Sequence, residues 1–179
     1  MRPASEADCK AIAGIYNRGI AERVATFETE PRTPGQIAMQ LREKGERFPT
    51  LVAEGAGRIM GFATAGPYSS RSCYSGIAEH SVYVDASTRG MGVGRALLEA
   101  LIRSYETLGF WKLVSRIFPE NGASLRLHYR AGFRNVSVYR RHARLDGAWR
   151  DCVIVERLLG PANNGDAARH PGSEEQTRK

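Results

Sequence analysis

Three glycines alternate with other residues in Arg89-Gly90-Met91-Gly92-Val93-Gly94, a spacing that lets several backbone N–H groups converge on one anionic ligand where a helix begins. The stretch reads as a phosphate cradle. The segment Gly66 to Ile77, GPYSSRSCYSGI, is rich in Gly, Pro, Ser and Tyr and has no sustained period. It reads as a surface loop that delivers side chains to a site, so Arg71 and Tyr74 are candidates for ligand contact. In the earlier loop, Phe27 either plugs the core or faces a substrate, and composition favours the core. The arginines Arg134, Arg140, Arg141, Arg144 and Arg150 are concentrated near the end of the chain. They suit a solvated hairpin, a nucleic-acid surface, or attraction of an anionic cofactor or substrate to a basic cleft.

These residues need elements to position them. Ser5-Glu6-Ala7-Asp8 is a capping pattern before Ile12, Ile15, Tyr16 and Ile20, which predicts a first helix to about Glu22. Thr33-Pro34 starts a second helix through Ile37 and Leu41, leaving Ala25 to Arg32 as the loop between them. Two β-rich runs, Thr50 to Glu54 and Arg58 to Ala65, flank a glycine turn and predict a hairpin. Glu79, Ser81 and Tyr83 alternate with His80, Val82 and Val84 as a strand, and the helix after the glycines carries Val93, Ala96, Leu97, Ala100, Leu101 and Leu108 on one face before Gly109 stops it. Trp111 to Phe118 predicts another strand, and Ala123 to Ala131 a short helix closed by Gly132. Strand, helix, strand, helix implies a parallel pair joined by a right-handed crossover. Asp146-Gly147 marks a final hairpin between Phe133–Leu145 and Trp149–Leu158.

The 179 residues, 42% hydrophobic and 25% charged, suit one soluble domain over residues 1–159. Residues 160–179 hold almost no large apolar side chain and predict a disordered C-terminal tail. Its charges cancel, so the formal charge of +7 belongs to the folded part. No apolar run is long enough for a membrane span, and the start MRPASEADCK lacks a secretory pattern. Cys9, Cys73 and Cys152 are odd in number and lack metal-type spacing, which predicts free thiols in a reducing cytoplasm and no metal.

The glycine turn is not a P-loop, because no Gly-Lys-Ser/Thr closes it, nor the dinucleotide fingerprint, whose third glycine would stand where Leu97 is. It fits the R-x-x-G-x-G turn of the GCN5-related N-acetyltransferase family, which the chain resembles over roughly Arg2 to Leu159. The segment from Asn121 to Phe133 is similar to that family's N-x-x-S/A-x-x-x-Y-x-x-x-G-F motif, with His128 where many members have tyrosine and Tyr129 beside it. That histidine, AEHSVYV before the cradle and DGAWRDCVIVER near the end resemble the phosphinothricin acetyltransferase branch. IFPENGASL and RSCYSGIAE look closest to its arsinothricin-resistance members.

The resemblance implies an α/β fold with a central mixed β-sheet flanked by helices, and acetyl-CoA as co-substrate. It implies acetylation of the α-amino group of phosphinothricin, arsinothricin or methionine sulfoximine, a detoxification that confers antibiotic resistance. By the same resemblance Val82, Tyr83 and Val84 lie along the pantetheine arm, Arg89, Gly90, Met91, Gly92, Val93, Gly94 and Arg95 bind the pyrophosphate, and Asn121 contacts coenzyme A. Glu79 matches the carboxylate that deprotonates the substrate ammonium, directly or through water. Only the free base attacks a thioester, and an amine with a pKa of about 9 to 10 is mostly protonated at neutral pH. His128 matches the acid for the leaving thiolate, a role for which Tyr129 is the alternative. The substrate pocket falls on Phe27, Glu28 and Thr29 together with Arg71 and Tyr74. Many relatives carry an arginine where this chain has Ser75, which keeps another small amine or a protein N-terminus open as acceptor. A homodimer is also implied, and Trp149 fills either its interface or the core. A coenzyme A binding module without catalysis, and a basic RNA-associated protein, are the readings from other classes.

Overall fold

The structure, a computed structural model, describes residues 1–165. Seven strands form one sheet: β1 (Arg2–Pro3), β2 (Leu51–Gly55), β3 (Arg58–Pro67), β4 (Ile77–Val84), β5 (Lys112–Ile117), β6 (Arg134–Leu145) and β7 (Ala148–Leu158), in the spatial order β1-β2-β3-β4-β5-β7-β6. Every neighbouring pair is antiparallel except β4 and β5. That pair is joined through α3 (Val93–Thr107), as parallel strands require a crossover.

Helix α3 buries Val93, Leu97, Leu98, Leu101 and Tyr105 against one face of the sheet, together with Ala63, Ala65, Ala78 and Leu113. Helices α1 (Cys9–Ala21) and α2 (Pro34–Lys44) cover the other face, where Ile12, Ile15 and Ile37 pack on Val52 and Phe62. A third cluster, Val114, Phe118, Leu145, Cys152 and Ile154, lies beneath the α1–α2 loop and takes in Phe27. The strand period of two therefore sorts β4 into two sets. Ala78, His80, Val82 and Val84 face α3, while Glu79, Ser81 and Tyr83 face α1 and α2.

Local chemistry sets the element ends. Thr33 and Gln36 form a reciprocal capping box at α2, with Pro34 at its first position. Ahead of α1, Glu6–Asp8 is a 3-10 turn rather than α-helix, because the Asp8 carboxylate takes the Ser5 N–H at 2.7 Å and the Arg2 guanidinium. The expected 66–77 loop is shorter than its composition suggested. Gly66 pairs with Glu79 and Pro67 with Ala78, so β3 and β4 extend into it, and Ser72–Tyr74 adds a 3-10 turn. Gly160–Gly165, the start of the expected tail, winds into a 3-10 turn, with the Ala162 N–H on the Leu159 carbonyl at 3.2 Å. The remainder of the expected tail lies outside the described residues. No helix among the described residues is long and apolar enough to cross a membrane.

Candidate active site

The cradle forms at the N-terminus of α3. Gly90 and Gly92, the latter being the N-cap, both sit at φ 81, a left-handed conformation that glycine adopts without steric cost. The first bond closing the helix runs from the Ala96 N–H to the Gly92 carbonyl, at 3.0 Å. The N–H groups of Val93, Gly94 and Arg95 therefore have no backbone partner among the described residues and open toward solvent. No acidic residue stands in that first turn, so the positive end of the helix dipole is left uncompensated. The turn is anchored to its surroundings: the Thr88 hydroxyl donates to the Met60 carbonyl at 3.1 Å, Arg18 pairs with Asp85, and Arg89 pairs with Glu22 at 2.8 Å.

From the cradle a groove of about 470 Å³ runs between the end of β4 and α4 (Gly122–Arg130). Of the residues that the resemblance assigns to the cofactor, Val82, Tyr83, Val84, Arg89, Gly90, Gly92, Val93, Gly94, Arg95 and Asn121 line it. Met91 does not; its side chain points to solvent and is 69% exposed. The Asn121 side chain caps α4 by accepting the Ser124 N–H at 3.1 Å, and its amide donates to the Val24 carbonyl at 3.1 Å. Two cationic residues missed from the sequence also line the groove, Arg126 and Arg130. Their signal was the i, i+4 spacing on the helix that Asn121 opens.

The groove ends at a fork in the sheet. The parallel ladder pairs Ile77, Ala78 and Glu79 with Lys112, Leu113 and Val114 and then stops, although both strands continue. A small cavity of about 30 Å³ opens in the fork, sharing Val24, Ala25, Val82, Tyr83, Asn121 and Ser124 with the groove and adding Ser115, Arg116 and His128. Glu79 belongs to the last ladder pair before the strands part. Its carboxylate accepts two hydrogen bonds from Arg116, at 2.5 and 2.6 Å, which fixes its orientation and leaves it lone pairs to spare; Glu79 itself lines neither the groove nor the fork cavity, whereas Arg116 lines the latter.

On the α3 side of the fork, His128 and His80 are both 1% exposed, with their Nε2 atoms 3.0 Å apart. The His128 Nδ1 lies 2.8 Å from the Ser124 carbonyl, which can only accept; we therefore assign the proton to Nδ1, leaving Nε2 to accept from His80. Burial pulls both imidazoles below their ordinary range, and proximity to His128 lowers His80 further. In the neutral pair neither ring holds a proton free for transfer. Tyr129, the alternative acid, is 42% exposed on α4 and lines neither cavity.

The candidate substrate residues divide. Phe27 stacks edge-on against Phe118 with centroids 4.7 Å apart, covering the cluster beneath the fork. Glu28 is held by Arg32 at 2.6 Å and lines a separate cavity between α1, α2 and the sheet. Thr29 is exposed and lines none of these three cavities. Arg71 is exposed with no ion-pair partner among the described residues, and Tyr74 packs on Tyr68 with centroids 5.8 Å apart; neither is brought to the fork. The carbonyl of Ser75 instead takes the Arg47 guanidinium at 3.0 Å. No group of three or more His, Cys, Asp or Glu among the described residues is placed to hold a metal.

Residues 14–133 match the Acetyltransferase (GNAT) family. The chain belongs to that family. It is an N-acetyltransferase of the GNAT type, and its mixed seven-stranded sheet is the GNAT fold. It is 36% identical over 157 residues to a phosphinothricin N-acetyltransferase of Streptomyces viridochromogenes, covering 88% of this chain and 86% of that one. An L-methionine sulfoximine/L-methionine sulfone acetyltransferase of Salmonella typhimurium is 34% identical over 164 residues, 89% of this chain and 94% of the relative. A GNAT superfamily phosphinothricin acetyltransferase from Sinorhizobium meliloti, solved in complex with AcCoA, superposes with a TM-score of 0.84 at 30% identity, covering 97% of this chain and 94% of that one.

Proposed function

We propose that the protein acetylates the α-amino group of a glutamate-analogue amino acid such as phosphinothricin, arsinothricin or methionine sulfoximine, using acetyl-CoA, and so detoxifies it. The observation that carries this is the shared wall at the fork. A groove built for a long anionic ligand and a small cavity beside Arg116 and His128 have Val24, Ala25, Val82, Tyr83, Asn121 and Ser124 in common. The two reactants would meet there.

The residues of the groove fit coenzyme A. Uncommitted N–H groups at the start of α3, with Arg126 and Arg130 opposite, suit a pyrophosphate and a further phosphate. When bound, the thioester supplies the acetyl group. Val82 to Val84 would align the pantetheine arm, because beyond Glu79 the edge of β4 that faces β5 is left without a strand partner, while its other edge pairs with β3. Glu79 would take a proton from the acceptor ammonium through a water, its own lone pairs being half used by Arg116. His128 would act as the acid at the fork in its protonated form, which burial disfavours.

The same reading makes the protein a cytoplasmic homodimer with a small amino acid as its partner and no nucleic acid. The arginine-rich hairpin spends Arg134 on Glu156 and Arg150 on Glu120, and Arg144 lies over the Trp149 ring at 4.5 Å. Edge strand β6 exposes Val136, Val138 and Tyr139, apolar side chains on an open edge that a second copy could cover.

A thiol-release screen with acetyl-CoA and a panel of phosphinothricin, arsinothricin, methionine sulfoximine, polyamines and aminoglycosides tests the substrate class. Turnover confined to the amino-acid analogues is expected; turnover confined to the other amines overturns it. The cofactor assignment has its own test in Gly92→Val. A β-branched residue at φ 81 is strained by about 1–2 kcal/mol, and a side chain there meets open space, so the cost falls on the turn rather than on packing. The KM for acetyl-CoA is expected to rise about ten-fold with the acceptor KM unchanged.

A further inference from the structure

The cavity between α1, α2 and the sheet, of about 280 Å³, is not used by the chemistry described so far. Its floor is formed by residues of β3 and β4 on the Glu79 face: Thr64 and Ser81, which are cross-strand partners, beside Phe62 and Tyr83. Ser81 and Tyr83 also line the cavity in the fork, so the two spaces have a common wall.

Lys44, in the last turn of α2, reaches into this space. Its ammonium donates to the Thr64 hydroxyl at 2.5 Å, and the Thr64 and Thr50 hydroxyls bond each other at 2.8 Å. That is the only side-chain hydrogen bond of Lys44 among the described residues, so two of its three donors are uncommitted. It also has no carboxylate within ion-pair distance among the described residues. The other charged side chains on the cavity wall do not supply one. Glu28 is held by Arg32 in a two-oxygen pair at 2.6 Å, and Glu43, exposed at the cavity rim, makes no ion pair with Lys44. Burial without a counter-charge brings the Lys44 ammonium down to about 8. Natural proteins seldom bury an ammonium without an anion.

The position relative to the fork is informative. Ser81 lies two residues beyond Glu79 on the same face, about 7 Å along the strand at roughly 3.4 Å per residue. Thr64 stands directly across from Ser81, and Lys44 is bonded to it. An acceptor with its amino group at Glu79 therefore needs a side chain of about glutamate length to bring a terminal group to Lys44.

We propose that this cavity is the subsite for the distal anionic group of the acceptor, a carboxylate, phosphinate or arsinate, with Lys44 as its cation and the Ser81 hydroxyl as a neighbouring donor. The proposal rests on the reading of the protein as an amino-acid N-acetyltransferase and adds to it the determinant of side-chain charge. A charge-assisted bond is lost when the cation is removed, whereas a neutral end group loses little.

The test compares phosphinothricin, whose terminal group is an anion, with methionine sulfone, whose terminal group is neutral, on wild type, Lys44→Met and Lys44→Arg. Lys44→Met is expected to lower kcat/KM for phosphinothricin by about ten-fold or more, through KM, while its constants for methionine sulfone and its KM for acetyl-CoA stay within two-fold. Lys44→Arg is expected to retain most of the preference. Equal losses on both acceptors, or no loss on phosphinothricin, overturn the subsite and leave the acetyltransferase reading intact. A wild type that acetylates neither acceptor overturns both. The unchanged methionine sulfone and acetyl-CoA constants serve as the check that Lys44→Met is folded.

Discussion

Replacing Glu79 with glutamine is expected to lower kcat by roughly 10²- to 10⁴-fold, the usual cost of removing a positioned general base, with the KM for acetyl-CoA unchanged. The substitution keeps the shape of the side chain and removes only its charge and basicity. Because the Arg116 side chain is 47% exposed, water can solvate the guanidinium that loses its partner, so stability should fall by no more than about 1 kcal/mol. Arg116→Met separates two uses of the pair. If Arg116 only fixes the carboxylate at the fork, this variant keeps a base that is less well placed, and kcat falls much less than in Glu79→Gln. The decisive measurement is the pH dependence of kcat/KM for the acceptor in single-turnover conditions. In Glu79→Gln the residual rate should keep climbing with pH as the amine deprotonates in solution, because the free base no longer needs a protein acceptor for its proton. A variant with wild-type kcat shows that Glu79 serves only to hold Arg116.

How much of this site was legible in the chain depends on how far apart its partners lie. The cradle was readable because its physics is local: glycines at φ 81, a helix start and an adjacent arginine all fall within Arg89 to Arg95. The α4 cap was readable for the same reason, Asn121 and Ser124 being three residues apart. The pairs that define the chemistry were not. Glu79 meets Arg116 across 37 residues and His80 meets His128 across 48, and only the parallel crossover brings them together. Nothing local marks Lys44, because the hydroxyl that its ammonium meets, Thr64, lies on a different element 20 residues away. Arg71 is a different case: its loop is polar and non-periodic, and the pairing of β3 with β4 ends at Pro67 and Ala78, so nothing in the local pattern fixes where its exposed side chain points.

The histidine pair gives the second large effect, and it separates catalysis from stability. His128→Phe is expected to lower kcat by about 10²-fold or more if His128 is the acid at the fork. It should also cost about 1–3 kcal/mol, because His80 is then left without a polar partner in a buried place. His80→Phe removes the neighbour but not the candidate acid, so it should share the stability loss and keep kcat within about ten-fold. The pH dependence of unfolding tests the pairing itself. Both imidazoles are held below the ordinary 6.5 by burial, whereas the unfolded chain titrates near that value. Below about pH 6.5 the unfolded state therefore binds more protons, and stability must fall as pH falls, by up to about 1.4 kcal/mol per pH unit for each histidine. From about one unit above that pH both rings are neutral in either state and this contribution is constant. Asp8, held down by Arg2, acts with the same sign but only below its ordinary 3.8, so the window from pH 5 to 6.5 reports the histidines. Urea unfolding of the wild type across that window should show the slope, and the double variant His80→Phe, His128→Phe should flatten it. A wild type with no slope there would mean that the pair is hydrated or already charged, and His128 would then hold a transferable proton without any help from its neighbour.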